Sequence, residues 1–198
     1  GSFTSRIEYN TFADLDEGVS VVVDGFGGPD DTYVATIGHN TFTGCVNPLE
    51  YYMWSNAEGT VGGEVTSNTI TGSLEDDIYV YFGPDGTGRL AFNPLISGNT
   101  VTNANGDNII ASGHVSSQTG DVTFSPTIAN NSLTATAGIN FSITGFAVSS
   151  GTGDVVYRPT VRNNPVMTGG DGNVAMFFGA SGLDGDVTIE PTISGNTT

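Results

Sequence analysis

Three aspartates recur in the second half of the chain at intervals of 33 and 32 residues, each between a glycine and a valine. They are Asp121, Asp154 and Asp186, and Arg89 takes the same place one unit earlier. If consecutive units stack as parallel strands, neighbouring carboxylates lie about 5 Å apart. Aligned acids repel one another unless a cation lies between them, so this column is a candidate site for calcium or another hard cation. Clustered acids also serve glycoside hydrolysis, whereas the plainer alternative is that Gly-Asp pairs form turns.

A second group of residues with chemical potential is aromatic. Two segments with alternating side chains, 49–54 and 78–82, turn four aromatic residues outward if their apolar neighbours point into a core. These four residues are Tyr52, Trp54, Tyr79 and Tyr81. An exposed apolar patch often marks contact with a partner, and aromatic rings stack well on sugar rings or on another chain. The alternatives are a loop that covers the rings and the opposite strand parity, which would bury them.

A third pattern consists of paired hydroxyl side chains that recur from unit to unit. The pairs are Thr41 and Thr43, Thr69 and Thr71, Thr100 and Thr102, and Ser132 and Thr134. A regular outward grid of hydroxyls resembles the surface of ice-binding solenoids. The alternative is that threonine is simply a favourable residue on the exposed face of a strand.

The elements that must position these residues come from an internal repeat. An apolar residue, an asparagine three positions later and a second apolar residue two positions further on recur along the whole chain. The asparagines are Asn10, Asn40, Asn68, Asn99, Asn131, Asn164 and Asn196. A period of about 30 residues is typical of stacked coils. We expect the seven amides to form a ladder along the stack; the alternative is that asparagine only tolerates left-handed turn geometry.

The repeat also predicts the fold class. Glycine is abundant, with 29 residues, and short alternating segments rather than helical patterns separate the asparagines. One unit cannot bury its own apolar face, but stacked units can. The sequence therefore predicts an all-β protein, a right-handed parallel β-helix of about six coils, with about 31 residues and three short strands per coil. We expect a single domain over residues 1–198.

The unit Ile-x-x-Asn-x-Ile/Val/Phe is followed about eight residues later by Gly-Ile/Val or Asp-Ile. This pattern resembles the coil of right-handed parallel β-helix proteins, namely the pectate-lyase-like superfamily and the β-solenoids of secreted surface proteins. The resemblance covers residues 7–196. Lyases of that superfamily combine calcium-binding acids with an Arg or Lys base, so the resemblance makes Arg89 beside Asp121 a candidate catalytic pair; an ordinary surface ion pair is the alternative, and we assign no catalytic residue. The same fold hosts lyases, hydrolases, adhesins and ice-binding proteins, so it does not define a function.

Composition excludes several partners. The net charge is −17, from 21 acidic residues against four arginines and no lysine. Binding to nucleic acid or to an anionic membrane needs clustered cations, so neither is expected. No apolar run has the length that crosses a membrane, and no membrane insertion is predicted. Cys45 is the single cysteine, which leaves no intrachain disulfide to indicate a redox compartment.

These observations favour a non-catalytic, extracellular or cell-surface protein, a structural or adhesive rod or filament. Gly1 and Ser2 are typical of a cloning remnant, in which case the chain is a segment of a longer solenoid; end-to-end self-association is the other expectation. A surface polymer or polysaccharide is the second expected partner, and no cofactor is expected apart from calcium. The alternative function is a polysaccharide-binding or polysaccharide-degrading β-helix, and the third is ice binding. Whether the chain is an enzyme stays open at this point.

Overall fold

The computed structural model describes residues 1–24, 28, 30–54, 58–83, 85–86, 89–117, 119–149, 151–168, 170–182 and 184–197. In this part of the chain every regular element is a β-strand, and the strands form three parallel sheets. The described residues contain no helix long and apolar enough to cross a membrane.

In chain order the strands are β1 (Ser2–Glu8), β2 (Thr11–Ala13), β3 (Glu17–Asp24), β4 (Thr32–Gly38), β5 (Thr41–Thr43), β6 (Asn47–Trp54), β7 (Gly59–Thr66), β8 (Thr69–Thr71), β9 (Ile78–Phe82), β10 (Asp85–Gly86), β11 (Leu90–Ser97), β12 (Thr100–Ala104), β13 (Ile109–Ser117), β14 (Val122–Phe124), β15 (Thr127–Ala129), β16 (Ser132–Ala135), β17 (Ile139–Ser149), β18 (Val155–Tyr157), β19 (Thr160–Arg162), β20 (Val166–Thr168), β21 (Gly172–Gly182), β22 (Val187–Ile189) and β23 (Thr192–Ser194). The first sheet has the order β1-β4-β7-β11-β14-β18-β22, with β15, β19 and β23 continuing its last strands. The second sheet has the order β2-β5-β8-β12-β16-β20, and the third has the order β3-β6-β9-β13-β17-β21, with β10 beside β13.

Each turn of the chain passes through the first, second and third sheets and then returns to the first. The six strands of the second sheet are separated by five complete turns. This arrangement confirms the predicted all-β parallel β-solenoid with three strands per coil. Its right-handed winding stays a prediction, which follows from the handedness of connections between parallel strands.

Two details of the strands differ from the sequence analysis. The later strands of the third sheet are long rather than short, since β17 and β21 each hold 11 residues. Conversely, the first sheet is interrupted in its last three coils at Pro126, Pro159 and Pro191. Proline has no N–H group to offer to the ladder of hydrogen bonds, which favours these interruptions, although β11 continues through Pro94.

The interior of the solenoid is a stack of aromatic rings between columns of aliphatic residues. The ring centroids of Phe82 and Phe92 lie 5.3 Å apart, those of Phe92 and Phe124 5.7 Å, and those of Phe124 and Tyr157 5.3 Å. Tyr157 fits because the facing residue is Gly113: a Cβ atom at that position would overlap the tyrosine hydroxyl. The core is thus packed ring against ring, both within one coil, as between Phe82 and Phe92, and between successive coils, as between Phe92 and Phe124.

The asparagines form a continuous amide ladder at the turn between the first and second sheets. Each side-chain Nδ2 donates to the Oδ1 of the asparagine in the next coil, over distances of 2.7–3.2 Å. The same Oδ1 also accepts the backbone N–H of the preceding asparagine, as between Asn68 and Asn99 at 2.9 Å. From the second asparagine onward, Nδ2 gives its other hydrogen to a backbone carbonyl of the preceding coil, as from Asn99 to Val65 at 2.8 Å. Every polar atom of a central amide is therefore bonded, which is what burial demands.

The left-handed turn falls on a different residue from the one that the sequence analysis considered. At this turn, positive φ falls on the residues immediately before the ladder asparagines, for example His39 (56°), Ser67 (56°) and Asn163 (55°). The ladder asparagines are not among the residues with positive φ. Turn geometry therefore does not explain the asparagines, whereas the ladder does.

Replacing Asn99 by alanine tests the ladder. Asn99 is 1% exposed, and its loss leaves the Val65 carbonyl without this donor and the backbone N–H and side-chain Nδ2 of Asn68 without their acceptor. Unpaired buried polar groups cost about 1–3 kcal/mol each, so Asn99→Ala should lower the free energy of unfolding by about 3 kcal/mol. Asn10→Ala is the matched control, because Asn10 is exposed at the first position of the ladder and should cost less than about 1 kcal/mol. Urea unfolding followed by circular dichroism measures both; equal losses would contradict the ladder.

Two core tyrosines allow a second test of buried hydrogen bonding, because removal of their hydroxyl groups should change the free energy of unfolding in opposite directions. The Tyr51 hydroxyl donates to the Gly62 carbonyl at 2.8 Å, whereas the buried Tyr157 hydroxyl has no hydrogen-bond partner in the described part of the chain. Tyr51→Phe should therefore destabilise the protein by about 1 kcal/mol, and Tyr157→Phe should stabilise it by about 1 kcal/mol. The comparison uses the same urea titration. Destabilisation by Tyr157→Phe would show that its hydroxyl does find a partner.

Candidate functional site

The outward face of the third sheet carries the aromatic residues. Strands β6 and β9 are neighbours, and their register pairs Glu50 with Tyr79 and Tyr52 with Tyr81. The intervening residues of β6, among them Tyr51 and Met53, are fully buried. Because side chains alternate along a strand, burial of one set turns the other set outward. The structure thus places Tyr52, Trp54, Tyr79 and Tyr81 on one face of two adjacent coils.

The four rings form one continuous surface, which we call the aromatic patch. Trp54 and Tyr81 have ring centroids 4.8 Å apart, Tyr52 and Tyr79 5.5 Å, and Tyr52 and Tyr81 6.2 Å. Trp54 is 47% exposed, and the three tyrosines are half-buried against one another. Gly83, which follows β9, makes room for this arrangement, because a Cβ atom there would overlap the Tyr81 ring.

The aromatic patch lines a surface groove of about 450 Å³. The remaining lining residues are Asn47, Glu50 and Asp76. This volume lies within the range of small-molecule sites, and the mixture of apolar walls with a few polar groups is typical of them. The sequence analysis identified the rings but neither acid. Asp76 lies in the corner before β9 and reaches the groove only in the folded coil, and Glu50 belongs to β6.

The two carboxyl groups of the groove have perturbed acidities. Burial raises the pKa of Glu50, and a hydrogen bond donated by the Tyr52 hydroxyl partly opposes this shift. Burial also raises the pKa of Asp76, whose Oδ1 accepts the backbone N–H of Asp107 at 3.1 Å. Burial, together with the nearby Glu50, raises the pKa of Tyr52 to about 12. At neutral pH this tyrosine is therefore an uncharged hydroxyl donor.

The aspartate column links successive coils in the structure. The Asp121 carboxylate accepts the backbone N–H of Asp154 at 3.3 Å, and the Asp154 carboxylate accepts that of Asp186 at 3.0 Å. Arg89 and Asp121 form an ion pair at 3.4 Å whose side chains are both well exposed. Among the described residues, no group of three or more His, Cys, Asp or Glu side chains is arranged to hold a metal ion. The calcium site and the Arg89 pair therefore gain no support from this geometry.

The threonine pairs lie in register on the second sheet, one pair per coil. The outward hydroxyls bond partly to one another, as between Thr71 and Thr102 at 3.3 Å. The row is broad enough for only two hydroxyls, since strands such as β5 and β8 have three residues each. Ice binding by this face stays a prediction.

A largely buried polar column that the sequence analysis did not identify lies at the start of the third-sheet strands. Asn108 donates to Asn140, and Asn140 donates to Asn173 at 2.8 Å, which makes a second and shorter amide ladder. Asp77 holds the equivalent position one coil earlier, as the pairing of Ile78 with Ile109 shows. These residues recur in the sequence at intervals of 31, 32 and 33 residues. The column was not identified because its first member is an aspartate rather than an asparagine.

Asp77 is fully buried, and its carboxyl group has only part of its hydrogen bonding satisfied. The Ser73 hydroxyl donates to Oδ1, whereas Oδ2 has no hydrogen-bond partner among the described residues. Burial raises the pKa of Asp77 to about 8, and the charge of the adjacent Asp76 adds to this shift. The group is therefore mostly protonated at neutral pH. A protonated carboxyl group can donate a hydrogen bond toward the next coil, as the asparagines of this column do.

No family model matches the chain, and no curated protein or solved structure is significantly similar to it. The class that the structure defines is therefore a parallel β-solenoid with an acidic aromatic groove on one face.

Asp77→Asn tests the protonated carboxyl group through pH dependence. The pKa of Asp77 is raised on folding, from about 4 to about 8. In the wild type, the contribution of this group to the free energy of unfolding is therefore fully present below about pH 4 and is lost as the pH rises to about 8. The variant has no such loss. Its advantage in the free energy of unfolding should grow between pH 5 and pH 8, by up to about 1.4 kcal/mol per pH unit.

Urea titrations at pH 5, 6, 7 and 8 measure this difference. Glu64→Gln, on the exposed side of β7, controls for the removal of one negative charge. A difference between Asp77→Asn and wild type that does not change with pH would refute protonation of Asp77.

Proposed function

We propose that this chain is a non-catalytic extracellular β-solenoid, a rigid rod that binds a carbohydrate partner in the groove beside the aromatic patch. The observation that carries the proposal is the registered placement of Tyr52, Trp54, Tyr79 and Tyr81 over a groove that also offers polar acceptors. The extracellular setting rests on the resemblance of the repeat to secreted surface β-helices.

The chemistry of the groove suits a sugar ring. A sugar presents an apolar C–H face and a rim of hydroxyl groups. Trp54 and Tyr81 offer ring faces, and aromatic residues combine a large apolar area with defined geometry. Asn47, Glu50 and Asp76 provide acceptors for hydroxyl donors at the same place. Apolar walls with a few polar groups fix both the affinity and the orientation of a ligand.

The solenoid supports the proposed binding by keeping the rings in place. Tyr52 and Tyr81 belong to strands whose other faces are buried in the core. The Tyr52 hydroxyl also donates a hydrogen bond to Glu50. Side chains held in this way lose little conformational entropy on binding, which favours affinity.

Hydrolysis of a polysaccharide is the second candidate, because two acids with raised pKa values line the groove. Glycoside hydrolysis needs one carboxyl group that is protonated and another that is ionised. Acid and base roles are recognised where the environment pushes two pKa values apart. Here burial pushes the pKa of Glu50 and the pKa of Asp76 in the same direction, which favours binding over catalysis. Release of reducing ends from a bound polysaccharide would support the hydrolase instead.

The intrinsic fluorescence of Trp54 tests carbohydrate binding. Trp54 is the single tryptophan and lines the groove, so a ligand stacked there should change its emission. We expect binding by at least one member of a panel of soluble β-linked oligosaccharides. Tyr81→Ala should weaken that binding roughly tenfold, because the ring that packs beside Trp54 is lost.

Phe177→Ala is the matched control for this experiment. Phe177 is 63% exposed on the same sheet but lies in β21, outside the groove. Its replacement should leave the affinity unchanged. Equal weakening by both variants, or no response of Trp54 to any oligosaccharide, would count against the proposed site.

A further inference from the structure

The acids of the groove indicate which kind of carbohydrate would bind there, and this inference rests on the proposed function. We infer that the preferred ligand is a cationic saccharide, a β-linked amino sugar chain with free amines, rather than a neutral or acidic one. The observations that lead to this inference are the acids in the groove, the absence of cations near them among the described residues, and the aromatic rings around them.

The acids of the groove have no cationic partner in the described part of the chain. All four arginines lie elsewhere, and three of them are paired: Arg6 with Glu8 at 3.7 Å, Arg89 with Asp121 at 3.4 Å, and Arg158 with Glu190 at 2.7 Å. The sequence contains no lysine that could approach from another loop. Glu50 and Asp76 are therefore partly withdrawn from water without compensation by a positive charge.

Other carboxylates strengthen the negative potential at the groove. Glu17 acts on Glu50, and Glu75 and Asp107 act on Asp76, each raising the pKa of its neighbour. A cleft with charges of one sign and low-dielectric walls concentrates ions of the opposite sign. An acidic polysaccharide would be repelled here, whereas an ammonium group would be attracted.

The aromatic rings favour the same kind of ligand. A cation near the face of a tryptophan or tyrosine ring is attracted by the electron density of the ring. Trp54 and Tyr81 lie side by side in the groove that Glu50 and Asp76 also line. A neutral sugar would use only the stacking surface, whereas an amino sugar would use the rings and the carboxylates together. The site as a whole is therefore complementary to an organic cation carried on a ring.

The test compares three oligosaccharides of equal length at pH 6 by Trp54 fluorescence and by calorimetry. They are a β-1,4-linked glucosamine hexamer with free amines, the same hexamer fully N-acetylated, and a galacturonate hexamer. The amine hexamer should bind at least tenfold more tightly than its acetylated form at low salt. This preference should shrink when salt is raised, because exposed charge interactions are screened.

Variants test whether the acids of the groove cause the preference for the amine hexamer. Glu50→Gln and Asp76→Asn together should reduce the preference for the amine hexamer to less than threefold. Glu64→Gln, an exposed acid on another sheet, should leave the preference intact. If the double variant fails to fold, the comparison of the three hexamers on the wild-type protein still decides the question.

The outcomes separate the two levels of the proposal. Equal affinity for the amine and acetylated hexamers would overturn the cationic preference and leave carbohydrate binding in place. Tighter binding of the galacturonate hexamer would also overturn it. Failure of all three hexamers to bind the wild-type protein would overturn the cationic preference together with carbohydrate binding at this site.

Discussion

The buried amide ladder is the interaction on which the rest of the structure depends. An amide enclosed in the core must find partners for all its donors and acceptors, because each unpaired group costs free energy. In this chain the partner of one asparagine is the asparagine of the next coil, as in the contact between Asn99 and Asn131. A coil that slipped by one residue would leave amides unpaired on both sides. The ladder therefore fixes the register of every coil against its neighbours.

Register in turn decides what appears on the surface. Because side chains alternate along a strand, a shift of one residue would exchange the buried and exposed faces. The observed register buries Tyr51 and Val80 and places Tyr52 beside Tyr81 on the outside. The groove thus owes its geometry to hydrogen bonds on the opposite side of the coil. This dependence also explains how a protein with few charges and much glycine can present a defined surface groove.

The sequence predicted the parts of the structure that repeat. The asparagines, the three strands of each coil and the outward parity of Tyr52 and Tyr79 all follow from a period of about 30 residues and the alternation of strands. It did not predict features made by one coil alone. Asp76 enters the groove through a corner, Asp77 replaces an asparagine at the head of the second ladder, and the left-handed turn falls one residue earlier than expected. Such features depend on neighbours that are distant in sequence and have no periodic signal.

The two adjacent acids show how core and site depend on each other. The side chain of Asp76 lines the groove, whereas that of Asp77 lies in the core. Both could be ionised only at a large electrostatic cost, since like charges at close range disfavour each other. The charge of Asp76 helps to keep Asp77 protonated, and a neutral Asp77 spares Asp76 an adjacent negative charge. The core therefore holds a protonated carboxyl group directly beside the carboxyl group that lines the groove.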